Sequence, residues 1–217
     1  MRKAILFGSI GTLIETSDIQ RESFNESFKE NGLDCYWDEE DYKKLLKKSG
    51  GTKRIEDFAE QNNTEVDSKK IRERKTEIYN SKIQTSLIEP REGVLEILEH
   101  AHLNKIKIGF VTSTTSNNID SVFKTLNGKV TKEDFEFIGN QNMVQKLKPY
   151  PDIYLEALRV LEIETTECIA IENSVESALS AHSAKIDCIA FPGQFHKDDD
   201  FSFCKKIMNK LDVTILN

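Results

Sequence analysis

Short apolar runs alternate along the chain with amphipathic segments of helical spacing. Five runs predict buried strands, at residues 4–7, 106–112, 135–138, 168–172 and 187–191. Between them, apolar residues at helical spacing predict helices at residues 94–101, 119–126, 153–161 and 178–181. Because strands and helices alternate, the pattern predicts an α/β fold, a doubly wound (Rossmann-like) parallel sheet flanked by helices.

The region from about residue 18 to residue 88 has no convincing strand and is helical in pattern. It ends in a long charged helix, for which Asp67 is the predicted N-cap. A helical block inserted after the first strand predicts a cap domain, residues 16–88, over the carboxyl-terminal edge of the sheet. Open α/β sheets bind their ligands at that edge. Residues 1–15 and 89–217 then form the α/β core domain.

Composition and charge narrow the class of protein. Among 217 residues, 30 Lys and Arg face 37 Asp and Glu, a net charge of -7. This balance argues against binding duplex nucleic acid but allows a small anionic ligand in a locally positive pocket. No stretch approaches the about eighteen apolar residues of a membrane span, and the N-terminal apolar run stops at Gly8, so we expect no signal peptide. We therefore expect a cytoplasmic protein without nucleic-acid or membrane partners. Four cysteines without metal-ligand spacing are expected to be reduced thiols: Cys35, Cys168, Cys188 and Cys204.

Two segments that follow predicted strands have the chemistry of an anion site. After the first strand, Gly8–Thr12 can offer backbone N–H groups to an anion, although a plain tight turn fits equally well. After the second strand comes the hydroxyl-rich Thr112–Thr115, with Ser116 as the predicted helix cap. Hydroxyls at a helix N-terminus suit a phosphate, and a capped turn is the alternative.

Two charged residues also lie at predicted strand or helix ends. Lys148 precedes a proline-rich helix start, where it is either a fixed cation or a solvated loop lysine. Glu172 ends a wholly apolar strand, so its carboxylate has to be solvated, paired or metal-bound. Asn173 or Ser174, which follow it, can also serve as a plain helix cap.

Together these segments resemble the haloacid dehalogenase-like (HAD) phosphohydrolase superfamily, most closely its CbbY-like, β-phosphoglucomutase-related branch with a helical cap. In the helical region the resemblance rests on Phe24–Phe28, Gly32–Asp34, Trp37, Tyr42, Leu45–Leu46, Gly50–Gly51 and Arg54–Ile55. In the core it rests on Pro90–Val94, Lys148–Tyr154 and Ile171–Ser174. The resemblance implies a Mg²⁺-dependent phosphatase of small sugar phosphates, and CbbY-type members act on pentulose bisphosphates.

The first motif of the family departs from its pattern in this chain. The family has Asp-x-Asp-Gly-Thr after the first strand, where the leading Asp is the nucleophile and the second Asp is the general acid and base. The matching positions here are Gly8 and Ile10. Glycine has no side chain and isoleucine cannot exchange a proton, so neither residue can perform its role. The sequence thus predicts a catalytically dead or severely impaired relative.

Other motif positions are intact or only partly changed. Thr112 and Lys148 match the phosphate-binding hydroxyl and the lysine of the second and third motifs. At the acidic pair that holds Mg²⁺ in the family, this chain has Glu172 followed by Asn173, so we expect a weak, degraded metal site. On the cap, Gln20 stands where relatives commonly carry His.

Charge and position give the remaining ligand-binding predictions. Because Glu172 and Lys148 neutralise each other, a phosphate can enter without a metal, and no cofactor is expected. Candidate ligand contacts, beside the two intact motif residues, are Ser9, Gly11, Thr12 and Ser113 in the core and Lys53 and Arg54 in the cap. The two cap residues flank the Gly50–Gly51 pair, which can also simply end a helix.

Three functions follow from this pattern. The first is a non-catalytic protein that binds inorganic phosphate or a small phosphorylated sugar. The alternative is an active Mg²⁺-dependent sugar (bis)phosphate phosphatase with an unrecognised nucleophile, and the third is a scaffold that only contacts a protein partner. Ser9 is adjacent to the lost nucleophile, but strand alternation predicts that its side chain points to the opposite face from residues 8 and 10, with no base to activate it.

Overall fold

The chain divides into two compact units, each held together mainly by contacts among its own residues. The computed structural model describes residues 2–47 and 50–216. The core unit consists of residues 2–15 and 87–216, and the helical unit spans Thr16–Ser86.

A parallel sheet of six strands forms the centre of the core unit. The strands are β1 (Ala4–Phe7), β2 (Lys107–Phe110), β3 (Phe137–Ile138), β4 (Cys168–Glu172), β5 (Asp187–Ala190) and β6 (Lys206–Ile207). Their order across the sheet is β3-β2-β1-β4-β5-β6, so the chain winds outwards in both directions from β1 and β4. Phe7 pairs with Phe110 on one side and with Ile171 on the other, which aligns the carboxyl ends of the three central strands.

Helices cover both faces of this sheet, because the central strands are apolar on both sides. The core unit has a short helix α1 (Ile10–Leu13) and four longer ones, α6 (Val94–Leu103), α7 (Ser116–Thr125), α8 (Asp152–Leu161) and α9 (Val175–Ser183). Ile5 and Phe7 pack in one buried cluster with α6 and α7, whereas Ala4 and Leu6 pack in a second with α8 and α9. The predicted doubly wound α/β core is confirmed.

The helical unit has a small aromatic core. Its helices are α2 (Ser17–Glu30), α3 (Glu39–Leu45), α4 (Gly51–Gln61) and α5 (Ser68–Thr85). Trp37 packs against Phe24 and Phe28, with ring centroids 4.9 and 4.6 Å apart, respectively. The Asp67 carboxylate accepts the Lys70 N–H at 2.9 Å, which confirms Asp67 as the N-cap of α5.

Several element boundaries differ from the predictions. Strands β2, β3 and β5 are shorter than expected, and β6 was not predicted because both of its residues are exposed. Ser116 is not the cap of α7; Thr115 is, since its hydroxyl accepts the Asn118 N–H. Gly50 is the N-cap of α4, so the glycine pair begins a helix and does not end one. Within residues 2–47 and 50–216, we find no helix long and apolar enough to cross a membrane.

Candidate functional site

The carboxyl ends of the central strands bring the predicted motifs together in the core unit. The Val111 N–H donates to the Phe7 carbonyl at 2.7 Å, and the Gly8 N–H donates to the Ile171 carbonyl at 2.9 Å. These bonds extend the parallel register past the strand ends. The loop after β1, the Thr112 segment and the end of β4 therefore lie at the same edge of the sheet.

A buried ion pair occupies the centre of this edge. The Lys148 Nζ donates to the Glu172 Oε1 at 2.5 Å and also to the Gly8 carbonyl. The Tyr154 hydroxyl donates to the same Glu172 oxygen at 2.8 Å. Glu172 is 0 % exposed, so these partners take the place of water around its carboxylate. Burial, together with the Glu172 carboxylate, raises the pKa of Tyr154 well above its usual range, which keeps the hydroxyl a proton donor.

The space beside Gly8 is already filled by this network. A Cβ atom at residue 8 would overlap the Glu172 carboxylate and the Tyr154 hydroxyl, well inside the 3.0 Å that real Cβ atoms keep from other heavy atoms. Hence the absence of a side chain at Gly8 is what allows Glu172 to approach Lys148 in this position. The Lys148–Glu172 ion pair in this position therefore depends on glycine at residue 8.

Ser9 points into the site, and the prediction that it points away is wrong. Its hydroxyl lies 2.5 Å from the Asn173 Oδ1 and 3.2 Å from the Glu172 Oε2, and it donates to these oxygens. Strand β1 ends at Phe7, and Ser9 is the extended N-cap of α1. The alternation of a strand therefore does not continue to residue 9, and the turn redirects the side chain.

Contacts within the protein hold the rest of the loop after β1, residues 10–12, in place. The Thr12 hydroxyl and N–H both donate to the Ser9 carbonyl, at 2.6 and 3.0 Å, so Thr12 stabilises the turn. Ile10 is partly buried and packs against the apolar core. In the described part of the chain, the N–H groups of Ser9, Ile10 and Gly11 donate to no backbone carbonyl. The Arg91 guanidinium donates to the Gly11 carbonyl at 2.7 Å, which helps to hold the loop in place.

The Thr112 segment retains hydrogen-bonding capacity at the same edge. Thr112 is 3 % exposed, and its hydroxyl oxygen accepts the Thr114 N–H at 3.3 Å, which leaves the hydroxyl proton to donate elsewhere. Ser113, next to it, is half-buried. Lys148 likewise has three N–H donors and uses two of them on Gly8 and Glu172.

The oxygen atoms predicted to hold a metal are engaged with protein donors. Both oxygens of Glu172 and the side-chain oxygen of Asn173 accept hydrogen bonds from Lys148, Tyr154 or Ser9. Across the residues that the structure describes, no three His, Cys, Asp or Glu side chains form a group suited to a metal ion.

The predicted cap contacts lie in the helical unit. Lys53 is exposed and pairs with Asp57 at 2.7 Å, one turn along α4. The Arg54 Nε donates to the Leu45 carbonyl at 2.9 Å. A further basic residue, which the sequence did not indicate, is Lys75: its amino group is buried and donates to the Gln20 side-chain oxygen at 3.0 Å.

Sequence reasoning assigned no role to Tyr154 or Arg91. Tyr154 lies within the motif that begins at Lys148, near the start of α8, so its spacing from Lys148 was the available signal. Arg91 donates to the carbonyls of Phe191 and Pro192 as well as to the first loop, at 2.7–2.8 Å. Contacts to carbonyls leave no pattern in the sequence, and only the fold brings them together.

Comparison with known proteins agrees with this fold. The family model "Haloacid dehalogenase-like hydrolase" matches residues 5–191. Protein CbbY of Rhodobacter capsulatus is 34% identical over 203 residues, 92% of this chain and 89% of that protein. A crystal structure of CbbY from Rhodobacter sphaeroides in complex with phosphate has a TM-score of 0.86 at 30% identity, covering 97% of this chain and 95% of that one. A mutant of the same protein, in complex with xylulose-(1,5)bisphosphate, matches equally well. The chain therefore belongs to the haloacid dehalogenase-like hydrolase family, in its CbbY-like branch.

Proposed function

We propose that this chain is a non-catalytic CbbY-like protein that binds inorganic phosphate or a small phosphorylated sugar. The observation that carries the proposal is the filled space beside Gly8, where Glu172 and Tyr154 take the volume of a nucleophilic side chain. Loss of a covalent nucleophile alone lowers turnover by about 10⁶ in other covalent enzymes. Ile10, packed on the apolar core, supplies no acid or base in its place.

Phosphate binding is supported by the donors that remain at the sheet edge. The third N–H of Lys148, the hydroxyl proton of Thr112 and the N–H groups of residues 9–11 are all suited to an anion. The Lys148–Glu172 pair is neutral as a whole, so an entering phosphate meets no excess of carboxylates.

The donor set does not fit Mg²⁺. This hard cation prefers several oxygen ligands, usually including carboxylates. Glu172 is the one carboxylate among residues 8–12, 112–115 and 172–173, and it already accepts from Lys148 and Tyr154. We therefore infer that Mg²⁺ binds weakly and that phosphate binding is independent of it.

The proposed ligand is a phosphorylated pentulose, by analogy with the CbbY that binds xylulose-(1,5)bisphosphate. A cap domain of residues 16–88 and a ligand-binding role for Lys53 and Arg54 stay predictions. A cytoplasmic location and the lack of nucleic-acid partners stay predictions.

The test is calorimetric titration of the chain with inorganic phosphate, with and without Mg²⁺. We expect millimolar or tighter binding that EDTA does not alter. Thr112→Val should weaken it by about tenfold or more, since a hydrogen bond to a charged group contributes about 1.5–3 kcal/mol. Thr85→Val, on the exposed end of α5, is the matched control and should bind like the parent. No heat at millimolar phosphate, or binding only with Mg²⁺, would contradict the proposal.

A second candidate, an active sugar phosphate phosphatase, is favoured by one observation. The Ser9 hydroxyl lies 3.2 Å from the Glu172 Oε2, so a nucleophile and a base are adjacent. The serine oxygen would attack phosphorus as the phosphorus–oxygen bond to the sugar breaks, and the serine proton would pass through Glu172 to the departing sugar oxygen. Water would then attack the phosphoserine, release phosphate and return the proton to serine. However, the Glu172 carboxylate already accepts hydrogen bonds from Lys148 and Tyr154, so it is engaged in the buried ion pair. Phosphoserine at Ser9 after incubation with a sugar phosphate, detected by mass spectrometry, would establish this candidate instead.

A further inference from the structure

Two cysteines lie side by side at the edge of the sheet in the core unit. Cys188 is buried in β5, whereas Cys204 is partly exposed in the turn that leads into β6. The Lys205 N–H donates to the Cys188 carbonyl at 2.8 Å, so the chain at residues 204–205 runs directly alongside Cys188. The Cys188 thiol donates to the Ile189 carbonyl at 3.6 Å, and both cysteines pack on the same apolar cluster, where the two thiols are near enough to shift each other's pKa.

This contact makes the two thiols chemically different. The interaction between the two thiols lowers the pKa of Cys204 and raises that of Cys188, which burial raises further. Burial instead raises the pKa of Cys35 and of Cys168 to about 12. Of the four cysteines, Cys204 therefore combines access to solvent with the greatest thiolate character.

We propose that Cys204 and Cys188 are a redox modification site, in which Cys204 reacts with a hydroperoxide and Cys188 resolves the product as a reversible disulfide. A partly exposed thiol poised beside a buried partner is the arrangement that redox-sensing cysteines require. The phosphate site does not enter this step.

The reaction balances with one hydroperoxide as the oxidant. The Cys204 thiolate attacks a peroxide oxygen, an S–O bond forms, the O–O bond breaks, and the leaving oxygen takes a proton to become water or an alcohol. The Cys188 sulfur then attacks the Cys204 sulfenic acid, the S–S bond forms, the S–O bond breaks, and the Cys188 proton leaves with hydroxide as water. The two sulfurs lose two electrons, which the peroxide gains.

The disulfide would link the turn before β6 to β5, close to the ion pair described above. Cys188 pairs in register with Ala170, which lies two residues before Glu172 on the same face of β4. Closing the loop of residues 188–204 also restricts the unfolded chain. We expect the oxidised protein to melt about 5–10 °C above the reduced one.

The test treats the fully reduced full-length chain with equimolar hydrogen peroxide and maps its cysteines by peptide mass spectrometry. We expect a Cys188–Cys204 cross-linked peptide, a mass lower by about 2 Da, and reversal by dithiothreitol. In Cys188→Ser, a sulfenic acid should accumulate at Cys204 and be trapped by dimedone. Cys35→Ser, which removes a thiol of the helical unit, should oxidise like the parent.

Three outcomes would overturn the proposal. They are a native parent that retains all four thiols, oxidation that occurs first at Cys35 or Cys168, and a Cys204→Ser variant in which Cys188 is still oxidised. Circular dichroism before treatment shows whether each variant is folded. The parent mapping needs no variant, so an unfolded Cys188→Ser protein would still leave a decisive result.

Discussion

Gly8→Ala tests whether the site is built around a missing side chain. The added Cβ would overlap the Glu172 carboxylate and the Tyr154 hydroxyl, both of which are buried. The flanking loop is fixed by the Arg91 guanidinium and by the Gly8 N–H bond to β4, so the backbone has little freedom to retreat. Glu172 has to move, and its bond to Lys148 or Tyr154 has to lengthen or break.

The structure sets the size of this effect. Overpacking a close-packed core costs about 1–3 kcal/mol. Weakening a hydrogen bond to a buried carboxylate adds about 1.5–3 kcal/mol, because Glu172 is 0 % exposed and water does not replace the lost partner. We therefore expect the free energy of unfolding to fall by about 2.5–6 kcal/mol, which lowers the melting temperature by about 5–24 °C.

The assay is urea and thermal unfolding of Gly8→Ala beside a matched glycine variant. Gly193→Ala places a methyl at the same sheet edge, where its nearest neighbour, a Glu15 oxygen, is 3.1 Å away. It should cost less than about 1 kcal/mol. Combining Gly8→Ala with Glu172→Ala should cost less than the sum of the single changes, since the clash with the Glu172 carboxylate is then absent. Equal losses in the two glycine variants, or additive losses in the double variant, would refute the reasoning.

Three further predictions concern the side chains of Lys75, Arg91 and Tyr154. Burial, with the positive charge of Arg72 nearby, holds the pKa of Lys75 well below 10.5, so the unfolded chain binds an extra proton and stability rises as pH increases towards 10.5. Lys75→Met should remove this rise in urea unfolding at pH 7 and pH 10, and an unchanged slope would speak against a neutral amine. Arg91→Lys should lower the free energy of unfolding by about 2–4 kcal/mol in urea titrations, because lysine lacks the planar, forked guanidinium whose two terminal nitrogens reach the three carbonyls, whereas exposed Arg74→Lys should stay within about 0.5 kcal/mol. Burial raises the pKa of Tyr154 above 10, so unfolding releases its proton and stability falls with rising pH there; Tyr154→Phe should flatten that fall in unfolding curves at pH 9–11.

Central strands were predictable from sequence because their burial is complete. Residues 4–7 and 168–172 are apolar runs buried on both faces, and the structure has strands with those bounds. The edge strands β3 and β6 pair over only two residues each. Their extent depends on the register with a neighbour and not on local composition, so the apolar pattern overestimated β3 and missed β6.

The sequence predicted which residues form the site better than it predicted how their side chains are arranged. Ser9, Lys148, Glu172 and Asn173 were all identified as candidates, but their mutual hydrogen bonds were not. The direction of the Ser9 side chain was predicted wrongly because the alternation of strand β1 was assumed to continue past Phe7, where the strand ends. The approach of Glu172 to the backbone of residue 8 follows from the absence of a Cβ there, an effect that appears only when the elements are packed.

The most direct test of a non-catalytic function is steady-state phosphate release with Mg²⁺ from xylulose bisphosphate and a panel of pentose and hexose phosphates. The purified chain is measured beside a variant that carries Gly8→Asp, Ile10→Asp and Asn173→Asp, in which the carboxylates of the family motif are present. We predict that the parent releases no phosphate above the background of a mock preparation, while the variant turns over once Glu172 has moved out of the space beside residue 8. Turnover by the parent that is lost in Ser9→Ala would contradict the account and make Ser9 the nucleophile.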